Sequence, residues 1–257
     1  GVKVARVSID DDNFRSQGMS KSAGFVLVDE IVDLHKDLPA GAAAAVDEAI
    51  AGKPAPGGPS TDKAAVGSQT TYGELTADAG PDKDAADGAM QGVAAVDDIT
   101  VVAASPSDAG PLADEAAESL AYIGCDYTWR RVSKESVLRD LTNGIRVMMA
   151  KDSNGAIRGG TWFGSFFVEP DNEQGGRMTV MVELGSIFGD ESAVRALVHW
   201  AEVTLAQKRD RDRLPAAKLF VNCRKTATAL SMLPALGFCS EEHRHGLWEL
   251  NLQTSRG

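Results

Sequence analysis

Two successive patterns of apolar residues, from Met178 to Arg209, constrain the fold of this chain more than any other stretch. From Met178 to Leu184 every second side chain is apolar, which is the spacing of a β-strand with one face in a core. After two glycines, Gly185 and Gly189, apolar side chains recur every three or four residues, which is the spacing of an α-helix. The sequence therefore predicts a central strand that leads through a glycine turn into a long helix.

The start of this predicted helix is polar. Asp190, Glu191 and Ser192 lie where the first N–H groups of a helix have no partner within the helix, and carboxylates and hydroxyls suit such groups. A helix that follows a strand and a glycine turn can also present these N–H groups to an anion. The first functional question is therefore whether this turn is open to a ligand.

Composition limits the class of protein. The chain has 257 residues, of which 43% are hydrophobic, enough for a sizeable core. Its three cysteines are an odd number in a chain too long to need disulfide bonds, which predicts free thiols and an intracellular, cytoplasmic location. Because no apolar run approaches the roughly 18 residues of a bilayer span, we predict no membrane-spanning segment.

An acidic segment, residues 41–120, divides the chain. It carries fourteen acidic residues and three lysines, which together equal the net charge of −11 of the whole chain. It is rich in Ala, Gly and Pro, a composition too polar to form a core alone, and this predicts a low-complexity linker. The alternative is an extended arm along neighbouring subunits, anchored by residues 43–50 and Ile99–Ala103. Nucleic-acid binding is not expected, because like charges repel.

The segments on either side differ in size. Residues 1–40 contain the runs VKVARVSI and FVLV, which predict a strand pair or a strand and a helix. So short a piece must bury its apolar faces on the C-terminal domain or on another chain. Residues 121–257 predict one α/β domain with a strand, a short helix capped by Ser133, a hairpin at an Asn-Gly pair, the central strand and helix, a further strand and helix closed by Gly237, and a final hairpin.

In this order of elements the C-terminal domain resembles the GNAT superfamily of acetyl-CoA-dependent N-acetyltransferases. The hairpin before the central strand, the strand-turn-helix, and LPALGF followed by strands ending in LWEL carry the resemblance. It implies an α/β (α+β) fold, a mixed twisted sheet flanked by helices, preceded here by the acidic segment. It also implies a cofactor pyrophosphate held around Gly185, Gly189 and Ser192, and Glu183 as general base.

The sequence departs from this family at two positions that matter for a cofactor. Glu191 stands in place of the second glycine of the family's turn, and Asp190 adds another carboxylate. Two charges about 4 Å apart repel by roughly 1 to 4 kcal/mol, which opposes an anionic cofactor. Leu233, which has no proton to give, replaces the tyrosine that acts as general acid in the family. We therefore expect no bound cofactor.

Two functions from different classes remain. The first is a degenerate GNAT fold that serves as a structural or interaction component of a larger assembly, with other protein subunits bound through residues 1–40 and the acidic segment. GNAT-like domains occur among virion proteins of tailed bacteriophages. The combination of a degenerate GNAT-like domain with a long acidic segment resembles those proteins. The second is an active N-acetyltransferase that uses acetyl-CoA on an amine, with Glu183 as base.

A metal site is not predicted. Cys239, His243 and His245 have even separations, so one strand face would carry all three. A tetrahedral metal site needs a fourth ligand, which the neighbouring sequence does not offer. These residues are interpreted as the solvated face of a hairpin.

Overall fold

The computed structural model describes residues 4–10, 12–38, 93–96, 98–119, 122–125, 128–172, 175–225 and 227–252. Its strands are β1 (Val4–Asp10), β2 (Val26–Leu38), β3 (Val93–Val96), β4 (Ile99–Ala103), β5 (Tyr122–Cys125), β6 (Thr128–Arg131), β7 (Arg146–Lys151), β8 (Ile157–Phe163), β9 (Phe167–Asp171), β10 (Arg177–Gly189), β11 (Ala216–Arg224) and β12 (Cys239–Asn251). Its helices are α1 (Phe14–Ser22), α2 (Ala109–Ser119), α3 (Lys134–Thr142), α4 (Glu191–Arg211) and α5 (Thr228–Met232), with 3-10 turns at Pro106–Asp108 and Leu233–Leu236. The suggested anchor at residues 43–50 lies outside the described residues.

One mixed sheet forms the centre of the fold. Among the described strands its order is β1-β12-β2-β11-β10-β8-β7-β4-β3, and β9 pairs with the first part of β10. β10 and β11 run parallel, and the other described pairs of this sheet are antiparallel. β5 and β6 form a separate two-stranded sheet. Because helices flank the main sheet, the predicted α/β class with a mixed sheet is confirmed.

Helix α4 covers one face of the sheet, as its apolar pattern predicts. Its side chains at helical spacing are at most 2% exposed, namely Val194, Leu197, Val198, Ala201 and Leu205. They share a core with Val180, Val182 and Leu184 of β10. On the opposite face, α2 and α3 meet β7 and β8 in a second cluster around Leu112 and Trp162. The central strands are therefore buried on both sides.

The predicted helix ends and the predicted Asn-Gly hairpin are confirmed by the local geometry. The Ser133 side chain accepts a hydrogen bond from the backbone N–H of Ser136 at 3.1 Å, at the start of α3. Gly155 has φ +81° in the turn between β7 and β8. Gly237 has φ +87° and ends the turn after α5. Glycine suits these last two positions because it adopts positive φ without steric strain.

The N-terminal strands belong to the main sheet. β2 lies between β11 and β12, and β1 pairs with the other edge of β12. On one face β2 buries Val32, Leu34 and Leu38 in the same core as α4. Residues 4–38 therefore bury apolar side chains on the C-terminal part of this chain, which is one of the two possibilities that their short length left open.

The end of the acidic segment also lies in the fold. The sequence predicts a linker or arm over residues 41–120, but β4 pairs with β7. Helix α2 places Leu112 and Ala116, both 0% exposed, in the second core cluster. The composition of the segment as a whole hides these short apolar patterns, because a strand and a helix each need only one apolar face.

The last strand differs from the predicted final hairpin. β12 runs unbroken through Gly246, where the sequence predicts the end of one strand and the start of the next. A Cβ at Gly246 would lie 2.7 Å from Trp248 Nε1 and 3.0 Å from Leu27 Cδ1, so glycine is required for close packing rather than for a turn. β12 finds its partners in β1 and β2, which the C-terminal sequence does not contain.

A histidine joins these three strands by charge. The Nδ1 atom of His245 on β12 lies 2.6 Å from Asp10 Oδ1, and its Nε2 atom lies 2.6 Å from Asp33 Oδ2 of β2. The hydrogen bond to Asp33 and the charges of both carboxylates raise the pKa of His245 to about 9. The protonated ring therefore links β12 to β2 and to the end of β1.

We expect His245→Gln to lower the free energy of unfolding by about 1 to 2 kcal/mol near pH 6, and by less as the pH rises. The folded pKa of about 9 lies above the ordinary value of 6.5, so the stabilisation is complete below pH 6.5 and is lost as the pH rises through 9. Urea unfolding of both proteins, from about pH 6 to about pH 10, measures the difference. His199→Gln on α4 is the matched control. A wild-type-minus-variant difference that stays constant over this range would contradict the role of the charged ring.

Candidate functional site

β10 leaves β11 shortly before α4. Their parallel ladder ends at the pair Gly185 and Asn222. β10 then continues along β8 with a shift of register between Gly185 and Phe188. Within this shift Ser186 has φ +55°, a conformation that few residues other than glycine adopt. The bulge marks the point at which the two central strands separate, and the predicted site residues lie around it.

Glu183, the predicted general base, is held at this point by Asn222. The Asn222 Nδ2 atom donates a hydrogen bond to Glu183 Oε1. The Oδ1 atom of the same carboxamide accepts the backbone N–H of Ser186 at 2.8 Å. Asn222 is 6% exposed and Glu183 is half-buried. One carboxamide therefore fixes both the carboxylate and the bulge beside it.

The sequence reasoning missed Asn222 as a site residue. The signal was its position as a polar side chain near the end of the apolar strand LPAAKLFVNC, next to the predicted central strand. Its partner Ser186 gave no signal, because the positive φ of a bulge leaves no trace in a single sequence. Arg158, on β8, was missed for a similar reason, since only the sheet pairing brings it to the start of α4.

Gly189, a predicted cofactor-binding residue, packs against strand β8. It has φ +128°, and a Cβ there would lie 2.5 Å from the carbonyl oxygen of Arg158 and 2.6 Å from the Cα of Gly159. A Cβ at Gly159 would in turn lie 2.5 Å from the carbonyl oxygen of Phe188. The backbones of two glycines therefore touch at this turn, and the side of the turn that lacks a Cβ packs against β8.

The N-terminus of α4 is capped by its own carboxylate. Asp190 is the N-cap, and its Oδ1 atom accepts the backbone N–H of Ala193 at 2.9 Å. Its Oδ2 atom accepts from Arg158 Nε at 2.9 Å and Nη2 at 2.7 Å. The hydrogen bond to Asp190 raises the pKa of Arg158, so the guanidinium stays charged. The helix end thus holds a carboxylate where a ligand phosphate would bind.

The other residues of the first turn do not open it. Glu191 is exposed and pairs with Arg195, four residues on, at 2.6 Å. Ser192 is half-buried as the second residue of α4. Gly185 is buried, and its carbonyl oxygen accepts from the Thr161 hydroxyl at 3.2 Å. The structure therefore brings the predicted site residues into one region, but these contacts are made within the chain. The residues present do not fit a bound pyrophosphate.

The position of the family's tyrosine lies in the core. Leu233 is 0% exposed and belongs to the cluster beneath α4. It begins the 3-10 turn after α5, and Phe238 behind it is 4% exposed. A side chain placed this way contributes to packing and has no proton to transfer.

The residues considered for a metal site serve other roles or lie apart. His245 is bound by two carboxylates, as described above, and the His243 side chain lies outside the described residues. Cys239 is an exposed free thiol, whereas burial raises the pKa of the Cys223 thiol to about 12. Among the described residues no group of three metal-ligating side chains is found. In the same part of the chain no helix is long and apolar enough to cross a bilayer.

Several solved structures are similar to this chain. A functionally unknown conserved protein from Staphylococcus epidermidis ATCC 12228 has a TM-score of 0.46 and 9% identity, with 97% of this chain and 73% of that one covered. A GCN5-related N-acetyltransferase from Sphaerobacter thermophilus has a TM-score of 0.43 and 13% identity, with 96% of this chain and 59% of that one covered. A tandem GNAT protein from the clavulanic acid biosynthesis pathway has a TM-score of 0.42 and 12% identity, with 97% of this chain and 64% of that one covered. The chain spans less than two thirds of the last two proteins. No family model matches it, and no curated protein matches it.

We expect Gly189→Ala to lower the free energy of unfolding by about 2 to 4 kcal/mol, because the new methyl group meets backbone at a positive φ. Gly155→Ala is the matched control, since Gly155 has φ +81° but nothing within 4 Å of its Cβ position. The control should lose only about 1 kcal/mol from conformational strain. Denaturant unfolding of both variants measures the difference. Equal losses would mean that the contact between β8 and the turn contributes nothing.

Proposed function

We propose that this chain is a GNAT-like fold that binds no acetyl-CoA at its central turn and serves as an interaction component of a larger assembly. The observation that carries the proposal is the Asp190 carboxylate, which occupies the N-terminus of α4 and is paired with Arg158. An anionic cofactor would have to displace this carboxylate from both partners. The contact between Gly189 and β8 and the burial of Leu233 support the same conclusion.

Exposed apolar side chains support the interaction role. Phe14 and Met19 on α1 are 77% and 65% exposed, and Met178 at the start of β10 is 43% exposed. Large apolar side chains exposed to water are area that contact with another protein surface would bury. The partners are therefore proposed to be protein subunits. A virion of a tailed bacteriophage, as the sequence resemblance implies, stays a prediction for the assembly, as does a cytoplasmic location.

The second candidate function is acyl transfer to an amine, and one observation favours it. Asn222 holds Glu183 as a hydrogen-bonded carboxylate where β10 and β11 separate, and this is a suitable position for a base. An acetyl donor would then have to bind without the N-terminus of α4. The same hydrogen bonds also have a purely structural role, because they fix a bulge between two buried strands.

Calorimetry with acetyl-CoA distinguishes the two functions. We expect no binding to the wild-type protein at millimolar ligand. Binding in the micromolar range, about −8 kcal/mol, would overturn the proposal and make Glu183 the leading candidate base. A double variant, Asp190→Ala with Glu191→Gly, tests how the turn is closed. Weak binding by this variant would mean that the carboxylates alone keep the cofactor out, and no binding would mean that the contact between Gly189 and Gly159 closes the turn as well.

Arg158→Ala is the matched control for the calorimetry. It removes the partner of Asp190 but leaves the cap on α4, so it should neither gain binding nor lose the fold. Loss of the cap in the double variant is expected to lower the free energy of unfolding by about 1 kcal/mol. Measuring stability beside binding distinguishes a folded variant whose turn is closed from a variant that fails to bind because it has unfolded.

A further inference from the structure

β2 is inserted between two strands to which no short turn connects it. β11 and β12 follow each other in the chain, with α5 and one 3-10 turn between them, yet β2 separates them in the sheet. β2 is hydrogen-bonded to both neighbours in antiparallel ladders. Residues 39–92, 54 in number, connect it to the next described strand, β3. The rest of the fold therefore contains a slot, between β11 and β12, for one antiparallel strand.

Charge complementarity matches β2 to this slot. Its acidic side chains each meet a basic side chain of a residue in or next to the flanking strands. The pairs are Asp29 with Arg224 at 2.9 Å, Glu30 with Lys225 at 2.6 Å, Asp33 with His245 at 2.6 Å, and Asp37 with Lys218 at 3.8 Å. In one further pair the basic side chain belongs to β2: Lys36 Nζ lies 2.5 Å from Glu202 Oε1 of α4.

The two faces of β2 also fix its register. Asp29, Asp33 and Asp37 lie on the face opposite Val32 and Leu34, which are buried beneath α4. A shift by one residue would move the carboxylates into the core and the apolar side chains out of it. The buried apolar side chains and the paired carboxylates thus both favour this register of β2 in the slot.

We propose that this slot is a strand-acceptor site, and that residues 4–38 of a second copy of the chain can occupy it by reciprocal exchange. Every contact of β2 would be identical in the exchanged pair, because both copies supply the same donor and the same slot. The balance between the two arrangements then depends on the connection alone. The chain's own strand competes at an effective concentration that does not change with protein concentration, so exchange is favoured where copies are crowded together.

A shortened chain tests the exchange. In the sheet β2 and β4 are five strand positions apart, about 24 Å, and four connecting residues reach at most about 18 Å. Deletion of residues 43–98 leaves residues 39–42 before β4, so a chain can no longer fill its own slot. Light scattering should then give twice the monomer mass for a folded protein. A folded monomer would overturn the proposal.

A complementary pair of full-length variants keeps the test decisive if the shortened chain does not fold. Asp29→Arg in one copy and Arg224→Asp in the other place like charges together in each chain by itself. In an exchanged pair the native Asp29 meets the native Arg224 in one slot, and the two substituted side chains meet in the other. Both slots are then matched by charge.

The two variants are unfolded together and refolded at about 0.1 mM. Native mass spectrometry, with a mass tag on one copy, then measures the amounts of monomer, homodimer and mixed dimer. We expect the mixed dimer to exceed either homodimer at least tenfold. The control carries both substitutions in one chain, and it should return to the wild-type distribution of monomer and dimer. Separate monomers with no mixed dimer, up to about 1 mM, would overturn the proposal.

Discussion

The burial of β10 on both faces is the constraint on which the rest of the structure depends. One face is covered by α4, and the other carries Thr179 and Met181, which are 0% and 7% exposed. A strand buried in this way must pair along both edges, because an unpaired backbone group out of reach of water is destabilising. β10 satisfies this requirement with β9 and β8 along one edge and with β11 along the other until Gly185.

The region where β10 and β11 separate follows from that constraint. Backbone groups that lose their strand partner need another one, and Asn222 supplies it to the N–H of Ser186. The same requirement applies one element further on, where the first N–H groups of α4 have no partner within the helix. Asp190 supplies one there, and Arg158 neutralises its charge. A bound anion and a helix cap draw on the same N–H groups, and in this chain the cap takes that of Ala193.

Local patterns in the sequence predicted the elements whose causes are local. The alternation before Gly185, the helical spacing of α4, the Ser133 cap and the Asn-Gly hairpin each depend on a few neighbouring residues. The sequence could not show that β2 pairs with β11 and β12, since the pairing partners of a strand are not written in its own pattern. For the same reason Gly246 was interpreted as a break, although Leu27 of β2 and Trp248 crowd it. The predicted site residues lie near one another in the structure, but their contacts with Arg158 and Asn222 come from the pairing of strands and could not be predicted from the sequence.

The position of β2 also affects the order in which this protein can be made and folded. During synthesis from the N-terminus, β1 and β2 leave the ribosome well before β11 and β12, the strands that pair with them in the sheet. Pairing between such distant segments is slow and cannot begin before the late strands emerge. Until then the acidic face of β2 has none of its basic partners and its apolar face has no core. The nascent chain therefore carries β2 without its partners until β11 and β12 have been made, and the net negative charge of the chain favours its solubility in that interval.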